Sequence, residues 1–338
     1  MSLEVAIAGA TGAVGRTMLS ILEERDFPVG RLRLLASPRS TGLMVSTKWG
    51  VVRVEDLTSA DPSGLDLAFF SAGADRSRVN VPRFAQAGVL VIDNSSAFRM
   101  EPGVPLVVVG VNDQALMDHR GIVANPNCTT MALMMAVGPL HEAAGVRSMV
   151  VSTYQAVSGT GQKGMNALSR QIDSLGRDRE ALVLGGWSDP LDETYARPIA
   201  FNVVPLAGTV GSDGYTDEEW KLVRESRKIL SLPTLDVEPT CVRVPTMVGH
   251  AMTASLRFDR PIEPAEAIKV VEEAAGVEYW DEMVPTPLDS AGRDTVLVGR
   301  IRATLSEPGA LNLWVVGDNL RKGAALNAVQ IAEEALEL

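Results

Sequence analysis

The chain has 338 residues, 46% apolar and 22% charged, which suits a globular protein with room for about two domains. A formal net charge of -11 argues against a nucleic-acid surface, since phosphate backbones demand clustered Lys and Arg. Two cysteines and three histidines, scattered singly, give neither a disulfide framework nor metal-ligand spacing, so no metal is expected and a reducing, cytoplasmic setting is.

The first element, Leu3-Glu4-Val5-Ala6-Ile7-Ala8, reads as a buried strand with no basic lead-in, so no signal peptide is expected. No apolar run reaches the ~18 residues of a membrane span. Gly9-Ala10-Thr11-Gly12-Ala13-Val14-Gly15 follows at once, and Val14, Met18, Ile21 and Leu22 then share one helical face. A glycine turn between strand and helix lets the backbone approach a pyrophosphate at the helix N-terminus. The spacing is G-x-x-G-x-x-G, a departure from the commoner G-x-G-x-x-G.

A second strand over 31–35 ends in Ala36-Ser37-Pro38-Arg39-Ser40. An NAD site would place Asp or Glu there for the ribose 2′-hydroxyl. Ser37, Arg39 and Ser40 instead suit a 2′-phosphate, so the expected cofactor is NADP. Further strands are expected over 65–70, 89–92, 106–109 and 122–124. Their carboxyl ends, where open parallel sheets bind ligands, carry Ser71-Ala72-Gly73, Asp93-Asn94-Ser95-Ser96 and Asn125-Pro126-Asn127-Cys128. Arg99 sits on the same rim and could hold an anion. Cys128 opens a run of good helix formers, Met131 to Val137, where unpaired N–H groups and the dipole favour a thiolate.

Beyond that helix the pattern changes. A strand over 148–154 leads through Gln155 into a second glycine-rich loop, Ser158-Gly159-Thr160-Gly161-Gln162-Lys163-Gly164, and a helix from Met165. Residues 185–190 read as an irregular loop and 201–205 as a short strand. Glu218 and Lys221 share a face of a helix over 216–229. Strands are expected over 242–244, 250–258, 295–304 and 311–316. Arg243 and His250 stand at strand ends, and His250 is the best partner for Cys128, since His119 lies in a polar loop and His141 on an outer-looking helix. Gly317-Asp318-Asn319 then precede a helix over 323–336 that is expected to return to the first domain.

A cysteine nucleophile beside an NADP crevice, with a histidine, points to an aldehyde dehydrogenase working through a thioester. In nearly its whole length the chain resembles the bacterial aspartate-semialdehyde dehydrogenases. The matching segments are 9–15, 36–40, 93–99, 125–130, part of 154–164, 214–221, 242–250 and 322–333. The resemblance implies a Rossmann-type dinucleotide-binding domain over 1–128, completed by a C-terminal helix within 318–338. An α+β catalytic and dimerisation domain with a mixed sheet would span 129–317. It implies Cys128 as nucleophile, His250 as acid/base and Gln155 as the residue orienting substrate. Arg243 would clamp the substrate carboxylate, Glu218 its ammonium, and Arg99, Lys221 and Asn127 the phosphate. NADP would lie along Thr11, Gly12, Ala13 and Val14, with Arg39, Ser40, Ser71, Ala72, Gly73, Ser158, Gly159 and Asn319. The implied reaction is reduction of L-aspartyl 4-phosphate to aspartate 4-semialdehyde and phosphate, feeding lysine (through diaminopimelate), threonine and methionine synthesis, in a homodimer or homotetramer. Gly110 and the stretch Leu206-Ala207-Gly208-Thr209-Val210 depart from the family pattern, as does Asn319 where Gln is common. Rival readings are the reductase of N-acetylglutamyl phosphate, a glyceraldehyde-phosphate dehydrogenase, a Cys–His hydrolase and a non-catalytic NADP-binding homologue. An acylated nitrogen would leave Glu218 without an ammonium to meet, which disfavours the first of these.

Overall fold

The computed structural model describes residues 2–177, 179–189 and 194–337. It divides into two compact units, the first made of Met1–Met134, Glu225–Pro233 and Leu320–Leu338, the second of Met135–Arg224 and Thr234–Asn319.

The first unit is built on a seven-stranded sheet. Its strands are β1 (Leu3–Ala8), β2 (Val29–Ala36), β3 (Met44–Thr47), β4 (Gly50–Asp56), β5 (Leu67–Phe70), β6 (Leu90–Asp93) and β7 (Ile122–Ala124), in the order β3-β4-β2-β1-β5-β6-β7. All pairings are parallel except β3 with β4. Because both faces are covered, β5 and the 5–8 stretch of β1 are apolar at successive positions rather than at alternate ones. Val5 and Ile7 join a core with Met18, Ile21 and Leu22, while Ala6 and Ala8 join another with Phe70, Val81 and Phe84 on the opposite face. The C-terminal segment, a π turn over Arg321–Ala325 and an α-helix over Leu326–Ala335, adds Leu326, Val329 and Ile331 to the first of these cores. The expected return of the chain's end to this unit is therefore observed.

The second unit holds a six-stranded mixed sheet: β8 (Val146–Gln155), β9 (Asp236–Arg243), β10 (His250–Phe258), β11 (Val277–Trp280), β12 (Val296–Ala303) and β13 (Leu311–Gly317), ordered β11-β12-β13-β10-β8-β9. Pairings β8–β9 and β11–β12 are parallel and the others antiparallel. Among the described residues no helix is long and apolar enough to cross a membrane.

Three sequence expectations are corrected. Leu106, Val107 and Val108 are buried and Val109 partly so, but the stretch forms only a single bridge, Leu106 to Ala124. Side-chain amides stand in for a strand partner: Asn112 receives the Val108 N–H and donates to the Leu106 carbonyl, and Asn327 does the same for Val109 and Val107. Residues 201–205 likewise make one bridge, Val204 to Arg243, because Phe201 takes a positive φ of 57° and turns the chain. The strand expected over 242–244 begins at Asp236. Pro239 hides this in the sequence, yet β9 is an edge strand, where a missing N–H is tolerated. The loop over 185–189 is irregular apart from a turn at Gly185, and Pro190 lies outside the described residues. The first unit also takes in 129–134 and 225–233, which the sequence reading left in the second domain, while Asp318 and Asn319 fall in the second unit. Buried contacts explain the 225–233 segment: Glu225 pairs with Arg99, and Lys228 Nζ donates to the carbonyls of Arg99 and Val104 at 2.7 Å each.

Candidate active site

In the first unit the glycine turn is sterically committed. Gly9 holds φ +88°, and a Cβ there would collide with the Ser71 carbonyl, while one on Gly15 would strike the Gly9 carbonyl. These close approaches seat β1, the 71–73 turn and the helix Ala13–Glu24 together. Gly12 is that helix's N-cap and offers no side-chain cap, so its first N–H groups lack the usual internal acceptor. Thr11 Oγ1 donates to Ser40 Oγ at 3.2 Å, joining the glycine turn to the 37–40 segment. Arg39 is exposed in the 3-10 turn Pro38–Ser40, following Ser37. Gly73, φ +87°, is the uncapped N-cap of the helix Ala74–Gln86. Together these features fit a pyrophosphate with a phosphorylated ribose.

At the far end of β7, Cys128 is the first residue of the helix Cys128–Ala144 and is partly exposed. Asn127 caps that helix: its Oδ1 receives the Thr129 N–H at 3.0 Å and also the Thr129 hydroxyl. The following residues, Met131 to Val137, are almost wholly buried, which fixes the first turn. Asp93, at the end of β6, is fully buried and receives Ser77 Oγ, Ser95 Oγ and the Ser95 N–H. Burial raises its pKa against the pull of those bonds. The Asn94 side chain accepts from Asn125 Nδ2, which also donates to the Ala324 carbonyl.

Arg99 is only 7% exposed, and its guanidinium is already engaged. It donates to the carbonyls of Asn125 (2.9 Å) and Asn94 (2.7 Å) and to Glu225 Oε1 (2.9 Å). Glu225 was missed by the sequence reading. The signal was present: Glu218, Lys221, Glu225 and Lys228 recur at three- and four-residue steps on one face of the helix Asp217–Ile229.

In the second unit three side chains are brought to one end of the sheet. Gln155 ends β8 opposite Arg243, which ends β9, and His250 opens the neighbouring β10. All three are buried. Thr153 Oγ1 donates to Gln155 Oε1 at 3.1 Å. Arg243 Nη1 donates to the Ala156 carbonyl at 2.8 Å, and its Nε has no hydrogen-bond partner among the described residues. His250 Nδ1 accepts the Ala156 N–H at 3.0 Å, and its buried Nε2 has no partner among the described residues. Burial, with the Arg243 cation adding to it, holds the imidazole pKa well below the ordinary histidine range. Gly159 lies against this pair: a Cβ there would sit 2.9 Å from Arg243 Nη1 and 3.3 Å from His250 Nε2. Ser158 and Asn319 hydrogen-bond through their side chains, and Asn319 Oδ1 also takes the Gly249 N–H at 3.0 Å. Lys221 bonds Asp217 at 2.6 Å and Glu218 at 2.7 Å. Burial opposes its charge, but these two carboxylates outweigh it and raise its pKa.

Two family models match the chain. Residues 4–119 fit the semialdehyde dehydrogenase NAD binding domain, and residues 137–322 fit the semialdehyde dehydrogenase dimerisation domain. The aspartate-semialdehyde dehydrogenase of Streptomyces akiyoshiensis is 52% identical over 336 residues, covering 98% of each chain. That of Mycolicibacterium smegmatis is 50% identical over 341 residues, again covering 98% of each. Among solved structures, aspartate semialdehyde dehydrogenase II of Vibrio cholerae complexed with ASA superposes with a TM-score of 0.93 at 43% identity, covering 100% of this chain and 99% of that one.

Proposed function

The chain belongs to the aspartate-semialdehyde dehydrogenase family, and from that premise we infer that it reduces L-aspartyl 4-phosphate to L-aspartate 4-semialdehyde and phosphate with NADPH, reversibly. It is an NADP-dependent phosphorylating aldehyde dehydrogenase of lysine, threonine and methionine biosynthesis. The observation that carries the catalytic reading is Cys128, a partly exposed thiol at the first position of a buried helix. We assign cofactor binding to residues 1–128 with the C-terminal segment. Catalysis and dimerisation fall to 129–317, less the 129–134 and 225–233 segments. The enzyme works as a homodimer or homotetramer in the cytoplasm.

When bound, NADPH supplies the hydride, and its 2′-phosphate is what Arg39, Ser37 and Ser40 are suited to meet. The residues 9–15, 71–73, Ser158, Gly159 and Asn319 hold the rest of it. Cys128 attacks the acyl phosphate carbon, its sulfur forms a thioester, and the bond to phosphate breaks. Once the thioester carbon has gained hydride, the tetrahedral oxygen carries the charge. Collapse breaks the carbon–sulfur bond, releases the aldehyde and returns the thiolate. His250 meets that oxygen. Because Ala156 N–H occupies Nδ1, the neutral ring carries its proton on Nε2 and enters as a hydrogen-bond donor. In the reverse direction addition of the Cys128 thiolate to the aldehyde gives the thiohemiacetal oxyanion, which the Nε2–H steadies until hydride leaves and the thioester carbonyl forms.

Gln155 orients the reacting carbonyl, and Arg243 takes the substrate carboxylate, its buried Nε being a donor in want of an acceptor. Glu218 meets the ammonium, and Lys221, Asn127 and Arg99 the phosphate. Lys221 must leave or share its carboxylate partners to do so. The test is phosphate-dependent NADP reduction on adding aspartate semialdehyde to the pure protein. Activity on N-acetylglutamate semialdehyde in its place would overturn the assignment and remove the role of Glu218.

A further inference from the structure

Pro126 sits in the turn that delivers the chain from β7 to Cys128, and it brings no N–H of its own to hold that turn. The peptide groups on either side are instead held by one ion pair. Arg99 Nε donates to the Asn125 carbonyl at 2.9 Å, and Glu225 Oε2 receives the Asn127 N–H at 2.6 Å. Arg99 Nη1 meets Glu225 Oε1 at 2.9 Å, which closes a ring of contacts around Pro126. Glu225 is 1% exposed, so its carboxylate is kept out of water. A buried carboxylate persists only when paired and hydrogen-bonded, and here both requirements are met by the turn before the thiol and the arginine that grips it.

We propose that Glu225 is a positioning residue for Cys128, holding the Asn127 peptide so that the thiol enters the helix in one fixed orientation. The proposal rests on Cys128 being the nucleophile. Only a carboxylate can fill the position, because two donors converge on it and each takes one oxygen. A glutamine has one acceptor oxygen, and its amide N–H groups would face either Arg99 or the Asn127 N–H, donor against donor. Glu225→Gln is therefore nearly isosteric yet must release one side of the ring. An aspartate, one methylene shorter, would not span both contacts.

The test compares wild type with Glu225→Gln, using the full chain at a temperature where both are folded and bind NADP. In the phosphate-dependent oxidation of aspartate semialdehyde, kcat is expected to fall about 10²-fold, the scale of a small misplacement of a reacting group. KM for aspartate semialdehyde should move less than about threefold, since Glu225 touches none of the groups assigned to it, and KM for phosphate, whose residues Arg99 and Asn127 it holds, should move less than about tenfold. A kcat within about twofold of wild type would overturn the proposal. So would a KM for phosphate raised more than about tenfold at unchanged kcat, which would place Glu225 behind Arg99 as a phosphate-site residue. Loss of NADP affinity together with kcat would mark it as a general support of the unit, and that too would overturn it. A second readout needs no substrate: the rate at which iodoacetamide alkylates Cys128, followed by peptide mass, should differ between the two proteins by more than about fivefold. Equal rates would sink the proposal even if the substrate assignment fails, whereas wild type inactive on aspartate semialdehyde would count against the function alone.

Discussion

The backbone N–H of Ala156 donates to Nδ1 of His250 at 3.0 Å, with the ring wholly buried. The bond selects a tautomer and an orientation at once. It also makes protonation doubly costly, because a proton on Nδ1 would face an N–H donor and the charge would lie near Arg243 without water.

This has a consequence for acid stability. An unfolded histidine takes up a proton below about pH 6.5, while the folded ring stays neutral to well below that value. Across the interval the unfolded state binds more protons, so stability falls as the pH drops from about 6.5, and no such loss is present above it. His250→Asn keeps an acceptor where Nδ1 stands and removes the titration. Its melting temperature should fall less steeply than that of wild type between roughly pH 6.5 and 5. Parallel curves in a calorimetric pH series would contradict the buried neutral ring.

The two cysteines are expected to behave oppositely. Cys241 is fully buried in β9, and burial pushes its pKa up to about 12. Cys128 is partly exposed at a helix start. Iodoacetamide on the folded protein should label Cys128 and leave Cys241 unmodified until denaturant is added. Cys128→Ala should lower kcat by about 10⁴-fold or more, the scale set by loss of a nucleophile, with NADP affinity retained. Residual turnover near wild type would remove Cys128 from the mechanism.

Much of this was legible because the local signals were unopposed. A strand at residues 3–8 followed by a glycine turn can do little else, and a thiol flanked by Asn127 and Thr129 at a helix start is unlike a core cysteine. The losses have physical causes. Asn112, a few residues on, and Asn327, more than two hundred residues on, satisfy the backbone of 106–109, so an apolar run there is not a strand. Pro239 conceals most of β9 because an edge position forgives it. The 44–56 hairpin is half exposed and alternates weakly. Glu225 looked like one more charge on a polar helix, since its partners lie 98 and 126 residues earlier in the chain.

On the proposed function, Arg39 is the residue we assign to the choice of cofactor. It is exposed, and no acidic side chain follows β2 to receive a ribose hydroxyl. A charged hydrogen bond to the 2′-phosphate contributes about 1.5–3 kcal/mol, so Arg39→Ala should raise KM for NADP by roughly tenfold to a hundredfold and leave KM for NAD nearly unchanged. Equal effects on the two cofactors in initial-rate assays would show that Arg39 does not read the phosphate.

Gly159 offers a test of how tightly Arg243 and His250 are set. Its backbone is not in the left-handed region, so adding a methyl brings no conformational strain. The added Cβ would, however, stand 2.9 Å from Arg243 Nη1 and 3.3 Å from His250 Nε2. Arg243 cannot yield freely, because the same Nη1 holds the Ala156 carbonyl at 2.8 Å, and Ala156 in turn orients His250. A push on one is therefore felt by the other. For Gly159→Ala, kcat/KM for aspartate semialdehyde should drop by about tenfold to a hundredfold, with melting temperature within a few degrees of wild type. A variant with native kinetics would mean that the arginine and histidine move aside at no cost, and that their close setting is not what the reaction uses.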